Sequence, residues 1–147
     1  MDFFSSMRVS ASGLDAQMKR MNTISSNLSN AETTRGAGGV PGPYKRKDPV
    51  FAAQTDRESF AEILQNQLDE NVQGVQVTEI VEDPRPPKQV YNPRHPDANA
   101  EGYVAMPNVN PVEEMANMIS SQRSYEANVT AMGAAKSMAQ KALEIGR

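Results

Sequence analysis

The residues of this chain that could carry out acid–base chemistry are scattered along it. Its single histidine, His95, lies between two prolines in Pro93-Arg94-His95-Pro96, a context typical of a turn. The only adjacent pair of acids at a predicted helix start is Glu113-Glu114, and the helix dipole explains that pair without catalysis. We therefore expect no catalytic residue and no enzyme activity. The weaker alternative is a periplasmic hydrolase that uses His95 and nearby acids.

Cofactor and metal chemistry are also poorly supported by the sequence. The chain has no cysteine, which excludes thiolate zinc sites and cysteine nucleophiles. Four glycines between positions 36 and 42 neither follow a strand nor lead into a helix, so they do not form a phosphate-binding loop. The chain has 15 basic and 18 acidic residues and a net charge of −3, so it lacks the positive electrostatic field that attracts nucleic-acid phosphates. We expect no cofactor, no metal and no nucleic-acid partner.

The most informative pattern is a pair of apolar stripes, one at each end of the chain, with the alternating three- and four-residue steps of a helix face. The N-terminal seam has one polar member, Ser25, and its apolar members are Phe4, Met7, Ala11, Leu14, Met18, Met21 and Leu28. The C-terminal seam is interrupted by Gln122 and Lys136, and its other members are Met115, Met118, Tyr125, Val129, Met132, Ala139 and Leu143.

These seams predict a mainly α fold with a small β region, in which the two terminal helices pack as a coiled-coil-like axial pair. The first helix is expected to begin with Asp2 or Ser5 as its N-cap and to end near Leu28 or Ala31. The second is predicted to begin with Asn110 as cap and Pro111 in the first turn. The expected divisions are an N-terminal axial helix over 1–33, a Pro/Gly-rich middle over 34–110 and a C-terminal axial helix over 111–147.

The middle region predicts a β-hairpin or a three-stranded patch. Residues 44–51 are interpreted as a short strand whose three basic residues form a solvated edge. Alternation over 74–82 gives the clearest strand, and 88–91 is predicted to return as its antiparallel partner. Residues 57–69 have helical spacing but also suit a loop, and 91–110 is dominated by turn formers.

No stretch approaches the length of a membrane-spanning helix, and the first residues lack the features of a cleavable signal peptide. The two seams must be buried against something, either each other or copies and relatives of the chain. A soluble coiled-coil adaptor or export chaperone, with the helices paired in one chain or a dimer, is the structural alternative.

Particular motifs resemble a known family. The runs Ser12–Gln17 and Ile24–Thr33 resemble the terminal signature of bacterial flagellar rod and hook axial proteins. More specific motifs, in this order and spacing, resemble a proximal-rod member of that family. They are Pro43–Lys47, Tyr91–Asp97, Gly102–Val109, Glu113–Met115 and Arg123–Asn128. The resemblance covers nearly the whole chain apart from residues 55–72.

The resemblance implies a structural subunit of the proximal rod, the drive shaft that crosses the periplasm. It implies that terminal helices pack along the rod axis after export by the flagellar type III apparatus without a cleaved signal. The implied partners are other copies, other rod subunits, the basal-body adaptor protein and, transiently, the export apparatus. The residues assigned to subunit packing, from the seams and the matched motifs, are Met18, Met21, Asn27, Leu28, Asn30, Met115, Arg123, Tyr125, Asn128, Val129 and Met132.

These residues also have simpler interpretations. Asn27 and Asn30 could satisfy loose carbonyl groups at the end of the first helix. Tyr125 and the methionines could belong to an ordinary core, although methionine also suits a face that must fit several similar partners.

Overall fold

The computed structural model describes residues 3–36, 42–54 and 73–145, and its helices lie at the two ends of the chain. The element order, with the labels used below, is α1 (Phe3–Ser29), β1 (Lys47–Ala53), β2 (Val75–Glu82), β3 (Lys88–Tyr91), β4 (Tyr103–Met106) and α2 (Pro111–Ile145). This arrangement confirms the prediction of a mainly α chain with a small β region between its terminal helices.

Local side-chain hydrogen bonds mark the inner ends of both helices. After α1, the Asn30 side chain donates to the carbonyl of Ser26 at 2.8 Å, and the Thr33 hydroxyl donates to the carbonyl of Asn30. At the start of α2, the Asn110 side chain accepts from the amide of Val112 at 3.2 Å. Asn110 therefore caps α2 as predicted, and Asn30 satisfies a helix carbonyl, as its simpler interpretation expected.

The first sheet contains β1 and β2. Hydrogen bonds from the Gln54 amide to the Gly74 carbonyl and from the Asp83 amide to the Arg46 carbonyl close its two ends, which makes the pairing antiparallel. Pro49 lies inside β1, and an edge strand tolerates it because one side makes no ladder bonds. The alternating strand was correctly predicted, whereas the possible helix over 57–69 lies outside the described residues.

The second sheet corrects the predicted partner of residues 88–91. β3 does not pair with β2; it pairs antiparallel with β4, and Tyr91 lies opposite Tyr103 in that register. The predicted three-stranded patch is therefore wrong, because the described β region is two separate two-stranded sheets. β4 was missed because it is only four residues long and lies within a stretch dominated by turn formers.

The chain divides into two compact units, and both helices contribute residues to each unit. One unit contains the described residues within Met1–Lys19, Val50–Glu79 and Ser121–Arg147, and the other those within Arg20–Pro49 and Ile80–Ser120. In the described part of the chain, no helix is long and apolar enough to cross a membrane.

Candidate subunit-packing surfaces

The face of α1 that the chain itself buries is not the N-terminal seam. The buried side chains of α1 belong to Ala16, Thr23, Ile24 and Asn27. At about 100° per residue, these four lie about 150° around the helix from the centre of the seam. Met18, in the middle of the seam, is 47% exposed. The other large apolar members of the seam whose burial is described are half-buried, namely Met7, Leu14, Met21 and Leu28. The seam therefore lies opposite the most buried face of α1, and the chain covers it only in part.

On α2 the buried face consists of small and polar residues. Glu114, Ser121 and Ala135 are buried, and the half-buried Asn128 falls between them in the same seven-residue spacing. This face lies about 60° from the centre of the C-terminal seam. Met115 of the seam is 48% exposed, so the folded chain leaves much of this seam uncovered as well.

The residues assigned to subunit packing therefore fall into three groups in the folded chain. Asn27 is completely buried. The exposed ones are Met18, Met115, Arg123 and Val129. The half-buried ones are Met21, Leu28, Asn30, Tyr125, Asn128 and Met132.

Asn27 is the centre of a buried polar cluster formed with residues of β1 and of the segment just before it. Its side-chain oxygen accepts from the Lys47 amide and from the Tyr44 hydroxyl, both at 2.9 Å. Its side-chain nitrogen donates to the Lys47 carbonyl at 2.8 Å and to the Glu114 carboxylate at 3.0 Å. The two donors and two acceptor positions of the amide are all used. Asn27 therefore acts within the chain, and we expect its effect on assembly to be indirect.

Glu114 completes this cluster from the first turn of α2. It is 1% exposed, and one carboxylate oxygen accepts from Arg46 Nε at 2.9 Å and from Arg46 Nη2 at 2.8 Å. Arg46 also pairs with Asp48. Burial lowers the pKa of Arg46, but the hydrogen bond and charge of Glu114, with Asp48, outweigh that effect and raise it.

This geometry corrects two predictions. Arg46 does not belong to a solvated basic edge, because its side chain is 14% exposed and paired with a buried carboxylate. Lys45 does belong to such an edge, since it makes an exposed ion pair with Glu82. Glu114 is not simply a charge favoured by the helix dipole. Glu113, its exposed neighbour, fits that description.

In the other unit, α1 holds the start of β2. The Ser12 hydroxyl accepts from the Val75 amide at 3.0 Å and donates to the Val9 carbonyl at 2.8 Å. A Cβ atom on Gly74 would lie 2.8 Å from the Ser12 hydroxyl, so only glycine allows this approach without a shift. Asn128, assigned to subunit packing, lies against α1 in the same chain, where a Cβ on Gly13 would be 3.0 Å from its Nδ2.

The region around His95 is organised as a turn. Its Nδ1 accepts from the Asp97 amide at 3.1 Å, while the Asp97 carboxylate accepts from Arg35 and from the Thr34 hydroxyl. The hydrogen bond from Arg35, followed by that from Thr34, lowers the pKa of Asp97. Among the described residues, no group of three or more potential ligands is placed to hold a metal ion.

Sequence reasoning missed the functional partners of Asn27 because they are distant in the chain. Arg46 and Glu114 were each interpreted from their immediate neighbours. A usable signal was the seven-residue series that begins at Glu114 and continues through Ser121, Asn128 and Ala135, since such a series marks one face of a helix.

Two family models match the ends of the chain where the helices lie. Residues 7–37 match the family described as "Flagella basal body rod protein", and residues 100–145 match "Flagellar basal body rod FlgEFG protein C-terminal".

Whole-chain relatives agree with these matches. The chain is 51% identical to the flagellar basal-body rod protein FlgC of Bacillus subtilis (strain 168), over 100% of both chains. It is 42% identical to that of Borreliella burgdorferi, over 99% of this chain and 98% of the relative. It is 40% identical to that of Salmonella typhimurium, over 95% and 94%. The chain therefore belongs to the flagellar basal-body rod protein FlgC family, a family of structural rod proteins and not of enzymes.

Proposed function

We propose that this protein is a subunit of the proximal rod and that its two seams are the surfaces by which neighbouring subunits pack. The observation that carries the proposal is the position of the N-terminal seam, about 150° around α1 from the face that the chain buries. An apolar stripe that its own chain covers only in part, with Met18 at its centre 47% exposed, is typical of a face that a partner covers. In this arrangement 1–33 and 111–147 are the axial helices, and 34–110 is the middle region.

The C-terminal seam supports the same role. Its members Met115, Val129 and Leu143 are 48%, 47% and 75% exposed. Exposed apolar side chains along one helix face are typical of a surface that another protein covers. They are accounted for when a similar helix of a neighbouring subunit covers them.

The proposed partners are other copies of this chain and other rod subunits, with the basal-body adaptor protein at the base of the rod. The rod is proposed to cross the periplasm and to transmit torque as a drive shaft. Export is proposed to proceed through the flagellar type III apparatus without a cleaved signal. Mass spectrometry of the subunit from purified basal bodies tests that last step, because a cleaved leader would shorten the N-terminus.

The seam is tested by the substitution Met18→Asp. Because Met18 is 47% exposed in the folded chain, the change should alter the free energy of unfolding by no more than about 0.5 kcal/mol. Burying the same carboxylate unpaired between subunits costs several kcal/mol, on the order of 2–5. We expect cells with this variant to export the subunit but to build no complete rods, as counted by electron microscopy of basal bodies.

Lys19→Glu is the matched control. Lys19 follows Met18 in the sequence and is exposed, but it lies about 130° around the helix from the centre of the seam. Lys19→Glu changes the net charge by two units, whereas Met18→Asp changes it by one. Rods should form in the Lys19→Glu strain. Complete rods in the Met18→Asp strain, or equal loss of rods in both, would show that the seam is not a packing surface.

A further inference from the structure

The polar cluster around Asn27 brings together three segments that are far apart in the sequence. Asn27 comes from the last turns of α1, Lys47 from the start of β1 with Arg46 just before it, and Glu114 from the first turn of α2. Asn27 is 0% exposed and Glu114 is 1% exposed. Buried polar groups of this kind are stable only when every partner is in place.

α1 and α2 each supply hydrogen-bond partners that the other residues of the cluster need. Without Glu114, one side-chain N–H of Asn27 loses its acceptor and Arg46 loses its buried counter-ion. Without Asn27, the amide and the carbonyl of Lys47 lose their hydrogen bonds to α1, and Glu114 loses one donor. A half-formed cluster therefore leaves polar groups without partners, which is worse than no cluster at all.

We propose that this cluster is a latch that couples the docking of the two terminal helices to the ordering of β1. The start of β1 is held on α1 only when the start of α2 is also in place, so the three segments become ordered together. The latch concerns contacts inside the chain and goes beyond the proposed packing of the outward-facing seams.

A double-mutant cycle measures the coupling. The purified full-length chain is titrated from urea, which unfolds it, to trimethylamine N-oxide, which favours burial, and folding is followed by far-UV circular dichroism. This range gives a folding equilibrium even for weakened variants. Asn27→Ala and Glu114→Ala should each lower the folding equilibrium constant about 10-fold or more. In the double variant, the fold-loss of the folding equilibrium constant should be smaller than the product of the two single losses by at least ~5-fold.

Glu113→Ala is the control, since it removes the same charge from the next residue of the same helix turn. It should change the folding equilibrium constant by less than about 2-fold, because Glu113 is exposed. Additive effects of Asn27→Ala and Glu114→Ala would overturn the latch. So would a Glu113→Ala effect as large as that of Glu114→Ala.

A local readout covers the case in which truncation to alanine unfolds the chain. Glu114→Gln keeps the side-chain shape. In trimethylamine N-oxide, where the purified chain is folded, it should speed hydrogen exchange at the Lys47 amide by about 5-fold or more, although that amide bonds to Asn27 and not to Glu114. Unchanged exchange at Lys47 would overturn the latch. Both measurements use the purified chain, so their failure is distinct from a failure to build rods.

Discussion

At the scale of single residues, asparagines determine much of this structure by satisfying main-chain groups. Asn110 and Asn30 bond within a few residues of their own positions, and such local roles can be predicted from sequence. Asn27 has the same chemistry, but its partners lie 20 and 87 residues away. Its role as a buried connector could not be predicted, because nothing near it in the sequence indicates which segments meet it.

Replacing Asn110 by alanine should weaken the start of α2 without changing the fold. The substitution removes the acceptor of the Val112 amide, and losing such a cap costs about 0.5–2 kcal/mol. The urea to trimethylamine N-oxide titration measures this change in the free energy of unfolding. Asn22→Ala, at an exposed position within α1, is the control and should not lower the free energy of unfolding, because alanine has a higher helix propensity than asparagine. A cap variant as stable as the wild type would contradict the assignment.

The turn after β2 should show a pH dependence with a known sign. Hydrogen bonds from the Arg85 side chain and amide lower the pKa of Asp83 to about 2. A lowered carboxyl pKa stabilises the turn above the ordinary pKa of aspartate, and that contribution disappears as the pH falls toward about 2. An NMR titration of the Asp83 carboxyl group should therefore have its midpoint near 2.

Arg85→Gln provides the comparison for that titration. It removes the charge and most of the donors that face Asp83, so the midpoint should return toward the ordinary value for aspartate. A midpoint that is the same in both proteins would show that Arg85 does not hold this carboxylate.

At the scale of elements, the sequence predicted the strands better than their partners. β2 was recognised from alternation within its own residues, which is a local pattern. Its partner β1 and the pairing of β3 with β4 depend on contacts between segments, and the short β4 carries little pattern of its own. The docking of β2 on α1 through Ser12 is also non-local, so the need for glycine at position 74 was not predicted.

A matched pair of glycine substitutions tests that docking. In Gly74→Ala the new methyl group would lie 2.8 Å from the Ser12 hydroxyl and 2.9 Å from Gln54 Oε1, and such overpacking costs about 1–3 kcal/mol. Gly133→Ala in α2 meets nothing within 4 Å, and alanine stabilises a helix interior by about 0.5–1 kcal/mol relative to glycine. The same denaturation titration should therefore give shifts of opposite sign, and a neutral Gly74→Ala would contradict the close approach.

At the scale of the whole molecule, the described part of the chain encloses little apolar material. Its buried hydrophobic residues are Ala16, Ile24, Val104, Val109 and Ala135. An aromatic content of 5% is consistent with this thin core, and the spacing of the seams predicted the helices. The sequence could not show which helix face the chain would bury, because the buried faces carry Asn27, Glu114 and Ser121, whose polar side chains do not mark them as a core.

This thin core leads to a prediction for the isolated protein. Helices gain most of their stability from packing, so the free chain at micromolar concentration should show much less helix than the 27 residues of α1 and the 35 of α2. Circular dichroism should record a rise in helix with protein concentration, because neighbouring chains then cover the seams. Met18→Asp should reduce that rise and Lys19→Glu should not. The prediction fails if a dilute monomer has the full helical signal and a cooperative melt, with no dependence on concentration. In that case the chain folds without neighbours, and packing of its seams against other chains does not stabilise its helices.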